Sequence, residues 1–85
     1  MFTYQEVQSR LREKPFRPFR IVVSEGQEFE IRHPDLVLVG VNDLMIGFAS
    51  PEHPGAYNRV TRVALLHVVS LEDLPVSKVS GNGQQ

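Results

Sequence analysis

Pro18-Phe19-Arg20-Ile21-Val22-Val23-Ser24-Glu25-Gly26-Gln27-Glu28-Phe29-Glu30-Ile31-Arg32 decides the architecture. Phe19, Ile21 and Val23 alternate with Arg20, Val22 and Ser24, and Phe29 and Ile31 alternate with Glu28, Glu30 and Arg32. That is the period-2 pattern of two half-buried strands. A two-residue Glu25-Gly26 loop would pair Ile21 with Glu30, setting charge against the core. A three-residue loop of Ser24, Glu25 and Gly26 instead pairs Ile21 with Phe29 and Phe19 with Ile31, and places Arg20 opposite Glu30 on the wet face. Gly26 then takes the left-handed position of a type I turn with a G1 bulge. A one-residue slip would turn every side chain over, so the second register is expected.

Upstream lies a helix-start signature. Thr3 and Glu6 form a capping box, and Phe2 and Val7 occupy the positions of a hydrophobic staple. Tyr4, Val7 and Leu11 share one helix face, Glu6 and Arg10 are spaced for an i,i+4 pair, and Pro15 is expected to stop the helix at about Lys14. Downstream, His33-Pro34-Asp35 breaks the second strand, because Pro34 cannot donate to a central ladder. Strands are expected over 36–41 and 44–49, with the clearest loop at Ser50-Pro51-Glu52-His53-Pro54-Gly55. The run 59–71 changes apolar parity around Leu65-Leu66, which predicts two short strands joined by a bend.

The fold class is therefore mainly β with one N-terminal α-helix, arranged as a small, strongly bent antiparallel barrel of the Sm-like or SH3-like kind. One domain is expected over 1–76, followed by a polar, fraying tail over 77–85. A chain of 85 residues makes a small domain that buries only roughly 60% of its unfolded-chain surface, and it has no cysteine for a disulfide or a thiolate metal site. Residues 1–14 lack the apolar core of a leader and no run is long enough to span a bilayer, so a cytoplasmic protein without a membrane partner is expected. A partner subunit is the remaining source of stability. The runs 36–39 and 63–69 hold more apolar residues than one core absorbs, which predicts Val37, Val39, Leu66 and Val68 on an outer face or edge that recruits a second chain. A homo-oligomer through strand edges follows.

The element order helix, glycine-turn hairpin, bent strands, loop and two short closing strands resembles the Sm-like (Hfq-type) small barrel. The Val22-Val23-Ser24-Glu25-Gly26-Gln27 segment is similar to the glycine-turn part of the first Sm motif, and 67–71 falls where the final strand lies. This resemblance implies the fold and a ring. It carries over no RNA site: Sm proteins use an Asp followed four residues later by Asn, whereas Asp35 is followed at that distance by Val39, and the Arg-Gly and Tyr-Lys-His elements are missing. The pattern Pro15-Phe16-Arg17-Pro18-Phe19-Arg20-Ile21, His33-Pro34-Asp35 and Leu66-His67-Val68-Val69 also resembles a group of short uncharacterised bacterial proteins, which implies no activity.

The remaining motifs argue against enzyme classes. His33-Pro34-Asp35 spells the J-domain tripeptide, but its flanks are strand-like, and it reads as a strand break. His33, His53 and His67 have no ligand spacing, so neither a metal nor another cofactor is expected; His67 reads as a half-buried strand residue. There is no nucleophile motif and no phosphate loop between a strand and a helix. The net charge of −1 conceals a basic head, with Arg10, Arg12, Lys14, Arg17 and Arg20 against Glu6 and Glu13 in residues 1–20. Arg10, Lys14 and Arg17 beside Phe16 form a candidate single-stranded nucleic-acid site, a cationic rim with an aromatic for stacking. The competing reading makes the cations a solvated helix end and Phe16 core. The first expectation is thus a non-enzymatic oligomerisation or protein-interaction module, and the alternative is a nucleic-acid binder.

Overall fold

The computed structural model describes residues 2–75, so the tail expected over 77–85 lies outside the described residues. Helix α1 is Tyr4–Leu11. The Glu6 N–H donates to Thr3 Oγ1 at 3.2 Å and the Thr3 N–H donates to Glu6 Oε1 at 2.8 Å, the reciprocal capping box. Glu6 is thereby committed to the cap, and Arg10 bonds elsewhere. The helix ends at Leu11, short of Lys14, where the Arg12 N–H donates to the carbonyls of Gln8 and Ser9. Pro15 has no N–H with which to continue the ladder and disfavours helical backbone just before it.

Six strands follow: β1 (Phe19–Val23), β2 (Glu28–Ile31), β3 (Val37–Val39), β4 (Asp43–Ala49), β5 (Tyr57–Ala64) and β6 (Val68–Asp73). They form two antiparallel three-stranded sheets, ordered β2-β1-β6 and β3-β4-β5. The hairpin register is as expected, with Phe19 opposite Ile31, Arg20 opposite Glu30 and Ile21 opposite Phe29. The turn differs in detail. Glu25 as well as Gly26 has positive φ, at 71° and 87°, which is the type I′ requirement rather than a right-handed turn with one glycine.

Two 3-10 turns divide the run of strands where the sequence places its breaks. Pro34–Leu36 separates β2 from β3, and Leu65–His67 separates β5 from β6. Among the described residues no strand ladder joins the two sheets, so the structure is a pair of sheets sharing one core. Phe19, Ile21, Ile31, Leu44, Ile46 and Val7 are its most buried side chains. Each is worth about 1.5–3 kcal/mol of burial. Phe29 meets Phe48 across the sheets with centroids 6.0 Å apart.

The apolar surplus sits on different residues from those expected. Val37 and Val68 are core residues, only 5% and 6% exposed, and Val39 is half-buried against the core. Pairing decides this: Val37 lies opposite the buried Ile46 and Val39 opposite the buried Leu44, which turns Leu38 outward beside Met45. Leu66 alone of the four expected residues is exposed, joined by Leu38, Val41, Tyr57, Val60 and Val69.

Candidate interaction surfaces

The basic cluster at the helix end is gathered but largely neutralised. Arg10 lies with its guanidinium carbon 4.6 Å from the Phe19 ring centroid, donates through Nη2 to Asp73 Oδ1 and comes within 3.9 Å of Glu13. It ties α1 to the end of β6. Arg17 donates through Nε and Nη2 to the two oxygens of Glu13, at 3.0 and 3.2 Å, and lies 3.8 Å from Asp73. These hydrogen bonds hold the Glu13 carboxyl below its ordinary range and raise the Arg17 guanidinium above its own. Phe16 packs its edge toward Phe19 at 6.1 Å and is half-buried, so it serves the core. Lys14 is exposed and, among the described residues, has no carboxylate within ion-pair distance. The expected nucleic-acid rim therefore offers Lys14 and neighbouring Arg12, while Arg10 and Arg17 face Glu13 and Asp73.

The outer face of the β2-β1-β6 sheet is acidic. Arg20 lies between three carboxylates, 3.4 Å from Glu28, 3.8 Å from Glu30 and 3.4 Å from Glu72, and Arg32 lies 3.0 Å from Glu30. Arg20 Nε makes no directed hydrogen bond despite its closeness to Glu28, so that contact acts as charge proximity alone. Among the described residues, two cations against three carboxylates leave the face negative.

The outer face of the β3-β4-β5 sheet is apolar over Leu38, Met45, Val60 and Tyr57 and is bounded by the Arg62–Asp43 pair. Leu38 and Met45 are cross-strand neighbours, Val60 lies opposite Gly47, and the Tyr57 ring lies over Gly47. The Tyr57 hydroxyl reaches across the sheet and donates to the Asp35 carbonyl at 2.6 Å. This bond fixes the His33-Pro34-Asp35 break from outside, a role that nothing in the tripeptide itself announces. On β5, Arg59 stacks over Phe48 with its guanidinium carbon 3.9 Å from the ring centroid, and Arg62 is exposed with Asp43 at 3.4 Å.

The histidines do not converge. Among the described residues no three His, Asp or Glu side chains gather in a metal-holding group. His67 is exposed in the second 3-10 turn rather than half-buried in a strand, and its carbonyl accepts from Ser24 Oγ at 3.3 Å. Sequence reading passed over Ser50, whose buried hydroxyl lies 3.3 Å from His53 Nδ1. The same loop is closed by Ser50 N–H to the Ala56 carbonyl and Ala56 N–H to the His53 carbonyl, so the contact staples a turn. Among the described residues no carboxylate pairs with His53 to orient it as a base.

Comparison with family models, curated proteins and solved structures returned no match. Among the described residues no helix is long and apolar enough to cross a membrane.

Proposed function

We propose that this protein is a non-enzymatic self-association and protein-interaction module on an Sm-like or SH3-like arrangement of bent strands. It assembles head to tail, β5 of one copy adding to β6 of the next. Among the described residues β5 and β6 each lack a neighbour on one side, and the complementarity of these two edges carries this reading. β5 ends one sheet and its own residues include Arg59 and Arg62 but no acid, with Arg62 beside Asp43 of β4. β6 ends the other and its own residues include Glu72 and Asp73 but no base, with Glu72 beside Arg20 and Asp73 beside Arg10. An edge contact would add to these pairs. Both edges also show an exposed valine, Val60 and Val69.

Charges on edge strands ordinarily prevent association. Here they select: β5 against β5 sets arginine against arginine, while β5 against β6 sets arginine against carboxylate. A head-to-tail contact of that kind closes into a ring or continues as a filament.

Sedimentation of the purified chain tests the reading. The mass is expected to exceed a monomer, to be unchanged by nuclease, and to fall with added salt as the edge charges are screened. Arg62→Glu is expected to remove the head-to-tail species. A wild-type chain that stays monomeric at high concentration, or an assembly indifferent to Arg62→Glu, would refute it.

A further inference from the structure

The acid at the end of β6 is already engaged within its own copy. Asp73 lies opposite the buried Phe19, and Arg10 stacks on that same ring while donating to Asp73 Oδ1. Arg17 Nη1 lies 3.8 Å from Asp73 Oδ2. Glu13 completes the circuit, bound by Arg17 at 3.0 Å and lying 3.9 Å from Arg10. Two cations and two carboxylates therefore alternate around a closed ring without net charge. The backbone holds this ring against the strand. The Leu74 N–H donates to the Pro18 carbonyl at 3.3 Å, one residue beyond each of Asp73 and Arg17.

Alternation decides which charge of a neighbouring copy meets Asp73. Residues directly opposite each other in a ladder send their side chains to the same face. Asp73 thus shares the inner face with Phe19, while Glu72, opposite Arg20, is on the outer one. On β5, Arg59 lies opposite Phe48, which packs inside on Phe29, and Arg62 lies opposite Met45 on the outer face. In a sheet continued from β6 of one copy to β5 of the next, Arg59 falls on the side of Asp73 and Arg62 on that of Glu72. Arg59 stacks on Phe48 and, among the described residues, has no carboxylate within ion-pair distance. Of this inner pair only the acid is already held.

We infer that the ion ring at the end of α1 restrains head-to-tail assembly, Arg17 withholding Asp73 from Arg59 of the next copy. The inference rests on the edge contact proposed above and names what regulates it. An acid flanked by two cations attracts a third more weakly, because they offset its charge. Arg17 is the adjustable member of the ring. It stands on the linker between α1 and β1 with its side chain 61% exposed, whereas that of Arg10 is 17% exposed and anchors the helix on Phe19.

The two partners of one ion pair should then act in opposite directions. Arg17→Gln and Glu13→Gln break the same bond, so a merely structural role would move assembly the same way in both. The first leaves the ring with one negative charge in excess and uncovers Asp73. The second leaves one positive charge in excess and covers Asp73 more fully. Sedimentation velocity over a concentration series reads the outcome. Arg17→Gln is expected to tighten head-to-tail assembly about 1.5–5-fold and Glu13→Gln to weaken it by a similar factor, the range for an exposed ion pair. In an Asp73→Asn background the gain from Arg17→Gln should vanish. All variants should keep wild-type circular dichroism. Absent shifts, shifts in one direction, or a gain that survives Asp73→Asn overturn the restraint; the edge contact still stands if Arg62→Glu abolishes assembly. A wild-type chain that is monomeric at every concentration removes the edge contact and the restraint together.

Discussion

Replacing Gly47 with alanine tests how the apolar sheet face is built. A Cβ at this position would lie 2.8 Å from Tyr57 Cδ1 and 2.9 Å from Cε1. Comfortable carbon contacts fall at about 3.5–4.0 Å, so the ring must lift by roughly 0.7–1.2 Å. It is not free to do so, because its hydroxyl is bound to the Asp35 carbonyl at 2.6 Å. Lifting the ring stretches that bond beyond the about 3.0 Å limit of a good O–H···O geometry. Losing it costs about 0.5–1.5 kcal/mol and overpacking about 1–3 kcal/mol, against a gain of about 0.4–1 kcal/mol from the stiffer unfolded chain. The net expectation is a loss of about 0.5–4 kcal/mol. The same substitution in a Tyr57→Ala chain meets no ring, and its sign should invert to a gain of about 0.4–1 kcal/mol. Urea unfolding followed by circular dichroism gives both differences, and the double-mutant cycle isolates their coupling. A neutral Gly47→Ala, or an equal cost in the two backgrounds, would show that Tyr57 does not depend on a bare backbone beneath it.

Two further predictions concern the helix end. Arg10→Gln is expected to cost about 1–2 kcal/mol, combining the stacking on Phe19 with the tie to Asp73, whereas Arg12→Gln should change stability by less than about 0.5 kcal/mol. Thermal unfolding of the two variants checks this, and equal melting temperatures would remove Arg10 as the anchor of α1. Glu13 is held by Arg17 below its ordinary value of 4.5, so on acidification the unfolded chain takes up the proton first. Its contribution is therefore complete above that value and disappears as pH falls through the lower folded one. Glu13→Gln should be less stable than wild type near neutrality and converge with it in strong acid; a gap of constant size at every pH would contradict this.

The hairpin was legible because its two faces differ. Alternating Phe, Ile and Val against Arg and Glu leave one register that keeps charge out of the core, and that register is observed. Pro34 and the parity change at Leu65-Leu66 were legible for the same reason, since each interrupts a periodic signal. The outer residues were not. Residues 36–39 and 68–69 are apolar at every position, so alternation cannot say which side faces in. For Val37 and Val39 the choice was made by the opposing strand, through Ile46 and Leu44. Nor could the pairing of Arg10 with Asp73, 63 positions apart, be read from the chain. The cationic head was visible in the sequence, but its neutralisation depends on where β6 ends.

An apolar excess on a small chain need not vanish when its expected members turn inward. Burying Val37 and Val68 requires Leu38 and Val69, their immediate neighbours, to face out, because successive strand residues point to opposite sides. The 3-10 turn does the same to Leu66 after burying Leu65. The surplus is thus conserved by geometry and displaced by one residue. Displacement changes its consequence. On β3 and β5 the outward apolar groups lie beside Tyr57 and Arg62, whereas Val41 and Leu66 project from turns near Phe2, Tyr4 and Leu65. The charged setting of β5 is thus the one that can select a partner by complementary charge, as the proposed edge contact requires, and the displaced turn residues lie apart from it.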